Sequence, residues 1–81
     1  MNQSLNDYYS TPDLALATAV SLWYPIESID RTHPSKALFQ FKRDENLNQL
    51  VETFWKQELR IEPQAYFNQL KVIKSRLYGE R

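Results

Sequence analysis

The chain contains no cysteine, one glycine, one histidine and one methionine in 81 residues. Without cysteine there is no disulfide and no thiolate–metal staple, so the fold rests on side-chain packing alone. Missing thiols fit a reducing compartment, in line with a cytoplasmic location. The single glycine, Gly79, removes Gly-rich phosphate loops and the G-x-S-x-G nucleophile elbow together. His33 stands alone within Thr32-His33-Pro34-Ser35. Neither a positioned partner for a general base nor a metal-ligand set can be read around it, so it reads as a polar turn residue. The carboxylates are scattered singly, except Asp44-Glu45, which helix capping explains. The expectation is a non-enzymatic chain with no catalytic residue, cofactor, metal or small-molecule substrate. No run approaches the ~18 apolar residues of a membrane span. Residues 1–7 lack the basic and apolar regions of a signal peptide, so neither span nor leader is expected.

What the chain does hold is apolar mass. It is 42% hydrophobic, with two Trp, five Tyr and four Phe, enough to build a core in one domain. A chain this short buries only about 60–65% of its unfolded surface, so its stability margin is thin. Four Pro and a single Gly argue against a turn-rich all-β domain and against disorder. Ten basic and ten acidic residues cancel. Residues 1–35 carry one cation and four anions, a net of −3, and residues 36–81 carry nine against six, a net of +3. The whole molecule therefore steers no polyanion, although its C-terminal end is basic.

Residues 1–10 read as a frayed or extended N-terminus, with Tyr8-Tyr9-Ser10 as a possible short strand because aromatics favour strands. From Thr11 to Tyr78 the chain reads as one α+β domain. Thr11-Pro12-Asp13 predicts a helix start, with Thr11 as cap and Pro12 at the first helical position. The helix is expected to run through Trp23, with Leu16, Ala19, Val20 and Trp23 on one face, and to stop before Pro25. Its apolar residues also occupy other faces, which marks a central helix. Residues 26–31 and 36–42 read as an antiparallel β-hairpin with a four-residue turn, Ala37, Phe39 and Phe41 sharing a face. Asp44 caps a second helix, on which Leu47, Leu50, Val51, Phe54 and Trp55 form an apolar stripe. Leu59 and Ile61 alternate with charges, leaving a short edge strand open. Pro63 starts a third helix. The two C-terminal amphipathic helices are expected on one face of the sheet.

That third helix carries two lines. Tyr66, Leu70, Ile73 and Leu77 form a core stripe. Beside it Phe67, Lys71, Lys74 and Tyr78 alternate rings and cations, with Arg76 nearby. Ammonium groups suit phosphates and rings suit unpaired bases, which makes this flank a candidate nucleic-acid or partner contact. Equally, lysine stems snorkel over a core edge and rings widen a buried face. Trp23, Trp55, Tyr8 and Tyr9 are many rings for a domain of this size. They read either as core or as an interface patch, with Trp55, Tyr8 and Tyr9 the candidate protein-contact residues.

The ordered pattern is also familiar. Thr11-Pro12-Asp13-Leu14-Ala15-Leu16-Ala17, Ala37-Leu38-Phe39-Gln40-Phe41, Leu50-Val51-Glu52-Thr53-Phe54-Trp55, and the closing Tyr66-Phe67-Asn68 with Lys74-Ser75-Arg76-Leu77-Tyr78 carry the likeness. From Thr11 to Tyr78 the chain resembles a family of small bacterial and phage-associated domains of unknown function. The resemblance implies a mobile-element or prophage setting and brings no catalytic residue or ligand. The expected function is a small accessory module that binds a protein partner or a second copy of itself. Nucleic-acid binding through Phe67, Lys71, Lys74, Arg76 and Tyr78 is the alternative.

Overall fold

The computed structural model describes residues 7–79. Six elements follow one another: β1 (Tyr8–Thr11), α1 (Leu14–Ser21), β2 (Ser28–Asp30), β3 (Leu38–Lys42), α2 (Glu45–Trp55) and α3 (Pro63–Gly79). The fold is mixed α+β, with three helices and a three-stranded antiparallel sheet in the order β1-β3-β2. The part of the expected N-terminus that falls on residues 1–6 lies outside the described residues.

Strand β3 takes the centre because it is the most apolar. Alternation puts Phe39 and Phe41 on one face, where both are buried, and Leu38, Gln40 and Lys42 on the other. β1 sets Tyr9 opposite Phe41 and Thr11 opposite Phe39. The opposite sheet face is closed by a polar row. The Ser28 hydroxyl donates to Gln40 Oε1 at 2.6 Å, and Gln40 Nε2 donates to the Ser10 hydroxyl at 3.3 Å.

Strand β1 runs on into Thr11, and this displaces the expected helix cap. Thr11 Oγ1 accepts from the Asp13 N–H, while Asp13 becomes the N-cap, its carboxylate accepting from the Leu16 N–H at 3.1 Å. Pro12 therefore sits ahead of α1, not at its first position. The hairpin connection also differs from expectation. Asp30 pairs with Leu38, so the connection spans residues 31–37 and is longer than the expected four-residue turn. The cause is local. The Asp30 carboxylate accepts from both the backbone N–H and the hydroxyl of Thr32, which turns the chain out of the strand at once.

α1 ends at Ser21, short of the expected Trp23. Pro25 bars Tyr24 from helical geometry, and the last turn tightens through Leu22 N–H to Ala19 O and Trp23 N–H to Val20 O. Trp23 thereby leaves the helix face and is 53% exposed. The rest of α1 is as central as its pattern predicts. Leu16, Ala17, Thr18, Ala19 and Val20 are all buried, and the Thr18 hydroxyl is satisfied by the Leu14 carbonyl at 2.8 Å. Both α2 and α3 pack on α1.

The core joins Leu16, Ala17 and Val20 to Phe39, Phe41, Leu47 and Ile73. Asp44 caps α2 as expected, accepting from the Leu47 N–H at 2.8 Å. Along the α2 stripe, Leu47 is buried, Leu50, Val51 and Phe54 are half-buried, and Trp55 is exposed. Along α3 only Ile73 of the four expected core residues is fully buried. Tyr66, Leu70 and Leu77 are half-buried, and the Tyr66 hydroxyl reaches out to the Ala15 carbonyl at 3.3 Å.

Candidate functional site

The most distinctive surface feature begins where α2 stops. Beyond its C-cap Lys56, Gln57 holds a φ of 63°, the left-handed region. The Gln57 N–H donates to Phe54 O at 2.9 Å and the Glu58 N–H donates to Thr53 O at 3.1 Å. This pair of bonds is the Schellman helix ending, with glutamine in the position glycine usually takes. It turns the chain sharply toward α3. The Leu59–Ile61 alternation forms no strand among the described residues. Glu62 then caps α3 with its carboxylate, accepting from the Ala65 N–H at 2.8 Å, and Pro63 begins the helix.

Between the end of α2 and the start of α3 this turn leaves an open apolar cleft of about 510 Å³. Phe54 and Trp55 form one side, Tyr66 and Phe67 the other, and Leu59 and Ile61 the floor. Trp55 and Phe67 are each 58% exposed. Each is set edge-on against its helical neighbour, Trp55 on Phe54 at 5.0 Å and Phe67 on Tyr66 at 6.3 Å between ring centroids. Such pairs hold rings in place without covering them. The cleft matches a small-molecule pocket in volume, but pockets that orient a ligand need several convergent polar groups. The polar side-chain groups of this lining are Gln57, the Trp55 indole N–H and the Tyr66 phenol, and the phenol is already engaged with the Ala15 carbonyl.

Of the expected protein-contact residues, Tyr9 and Trp55 come together and Tyr8 does not join them. Tyr9 lies on the core face of β1, with the Arg43 guanidinium 5.5 Å from its ring centre. Burial pushes the Tyr9 phenol pKa up, and the Arg43 charge and, to a smaller degree, the Trp55 side chain oppose this. Tyr8 points to the other sheet face and is 44% exposed.

The basic flank of α3 is exposed along its line. Lys71, Lys74, Phe67 and Tyr78 all face solvent, so the two rings are not an extension of the core. Phe67 and Tyr78 stand about 16 Å apart along the helix, and they belong to different surroundings. Phe67 is part of the apolar cleft. Tyr78 joins Arg31, His33, Lys36 and Leu77 around a second, more polar hollow of about 470 Å³. There the Arg31 guanidinium donates to the carbonyls of Leu77, at 3.0 Å, and Arg76, at 3.4 Å. It caps the last turn of α3, where carbonyls lack helical partners and a cation complements the dipole. Arg76 itself is half-buried.

The cleft itself is absent from a sequence reading that treats helices one at a time. Its signal is the run Leu59-Arg60-Ile61, read as a strand when both apolar residues face a gap between helices. Exposed Val72, on the far side of α3, lies outside both the apolar stripe and the basic flank of that helix.

Among the described residues no acid, histidine or cysteine cluster could hold a metal ion. No described helix is long and apolar enough to cross a membrane. Sheet, helices and cleft together define a small α+β domain. The chain belongs to the family described as a domain of unknown function (DUF5659), whose model matches residues 6–79. No curated protein and no solved structure matches it.

Proposed function

We propose that the protein is a small, non-enzymatic interaction module that docks a protein partner on the cleft between α2 and α3. The two C-terminal helices, carried on one sheet face, would serve as its frame. The observation that carries the reading is the pairing of Trp55 and Phe67. Two large rings, each more than half exposed, stand on opposite sides of an apolar floor. Exposed aromatic pairs over a concave apolar surface are the usual anchors of protein interfaces. A cytoplasmic location and a mobile-element setting complete the proposal, the latter resting on the family resemblance alone.

A photo-crosslinking residue at Phe67 tests it, with the same group at Val72 as control, since Val72 is equally exposed on the far side of α3. Protein adducts are expected from position 67 and not from 72, and Trp55→Ala should remove them. Equal adducts at both positions, or none at 67, refute the reading.

Exposure of Lys71, Lys74 and Tyr78 favours a second reading, contact with single-stranded nucleic acid along the basic flank. Such binding weakens steeply as salt rises. A gel shift that is unaffected by Lys71→Glu with Lys74→Glu removes it.

A further inference from the structure

The segment that floors the cleft is charge-complementary to itself. Lys56, Glu58, Arg60 and Glu62 alternate in sign along residues 56–62, and all four are exposed. Between them Leu59 and Ile61 turn toward the cleft. Beyond the turn at Gln57, two copies laid antiparallel about a two-fold axis at Leu59 bring Glu58 of one against Arg60 of the other. The axis repeats the contact, so one register gives two opposite-charge pairs and no like-charge pair. A closed two-fold dimer requires this self-complementarity of a single patch.

We infer that the occupant of the cleft is a second copy of this chain, docked through the α2–α3 connectors. This rests on reading the cleft as a docking surface and adds who docks and in which register. The same contact covers Trp55 and Phe67 in both copies. With 58% of each ring exposed, the two supply on the order of 200 Å² of ring surface per copy, about a quarter of the ~800 Å² of a standard interface. The connector's side chains must supply the rest. The zero formal net charge of the chain adds no overall repulsion between copies. A polar rim around an aromatic centre is also the usual anatomy of such a contact.

Sedimentation equilibrium on the full chain tests the inference. Wild type should move from 9.7 kDa toward twice that mass as concentration rises. E58R and R60E should each weaken association by about tenfold or more, because each juxtaposes like charges twice. The double variant E58R/R60E should dimerise as wild type does. An equimolar mixture of the two single variants should form the heterodimer, since the axis then restores both opposite pairs. All these positions are exposed, and circular dichroism verifies that each variant is folded. A wild-type chain still monomeric at ~1 mM, the range of the weakest encounters, overturns the inference. So do single variants that dimerise normally, or a double variant and a mixture that fail to recover. If the chain is monomeric but position 67 crosslinks to a different protein, the self-docking inference fails and the docking reading stands. If position 67 crosslinks to nothing, both fail.

Discussion

Replacing Gln57 with glycine isolates the residue that makes the cleft. Its φ of 63° lies where an L side chain crowds the following carbonyl, at a cost of about 1–2 kcal/mol. Glycine removes that cost but gives the unfolded chain more freedom, worth about 0.4–1 kcal/mol in the other direction. The balance is a gain of about 0.5–1 kcal/mol for Gln57→Gly. The two hydrogen bonds of the helix ending run from backbone N–H groups and survive the change. In a domain of this size that gain raises Tm by roughly 2–8 °C, readable by thermal melting followed by circular dichroism. Gln57→Ala keeps the Cβ and should leave Tm nearly unchanged. Gln57→Val, β-branched, should lower it. If glycine is neutral or destabilising while valine is tolerated, the backbone at Gln57 is not left-handed. The sharp turn that opens the cleft is then wrong.

Other expectations follow from the packing. Ile73→Ala should cost about 2–5 kcal/mol, a large part of the stability of so small a domain, whereas Val72→Ala should stay within about 0.5 kcal/mol; urea unfolding of both fixes the rotation of α3. Arg31→Ala should cost less than about 1 kcal/mol, because the capped carbonyls are exposed to water, while amide exchange in the last turn of α3 accelerates. The Asp44 carboxyl is held below its ordinary 3.8, chiefly by the Leu47 N–H and then by the Tyr24 hydroxyl. A lowered folded pKa gives stability that is present above the unfolded value and lost as pH falls through the folded one. Denaturant midpoints should therefore drop below about pH 4, and Asp44→Asn, which keeps a capping oxygen without the charge, should flatten that limb.

Much of the architecture is legible in single-element signals. Asp44 before a 3.6-residue apolar repeat marks α2 as it is found, and Pro63 marks the first residue of α3. The Phe39/Phe41 alternation names the buried face of the central strand. What escapes the sequence reading depends on competition between neighbours. Thr11 and Asp13 both suit a cap, and the outcome turns on Thr11 being drawn into β1 opposite Phe39. Trp23 keeps the helical spacing of Leu16 and Val20, yet Pro25 ends the helix before its ring can join them. The candidate site was only half visible. Exposure of Trp55 follows from its place at the margin of the α2 stripe. Its pairing with Phe67 across a cleft does not, because it depends on a left-handed glutamine that propensity does not anticipate.

The central claim is that the Trp55/Phe67 cleft is open in the single chain and closes on docking. Acrylamide quenching of Trp55 in a Trp23→Phe background measures this directly, since Trp55 is then the only tryptophan. At high dilution Trp55 should be readily quenched, and protection should rise with protein concentration in wild-type connector charge but not in E58R. A Trp55 already shielded at high dilution, or one equally quenched at every concentration and in both backgrounds, contradicts the account.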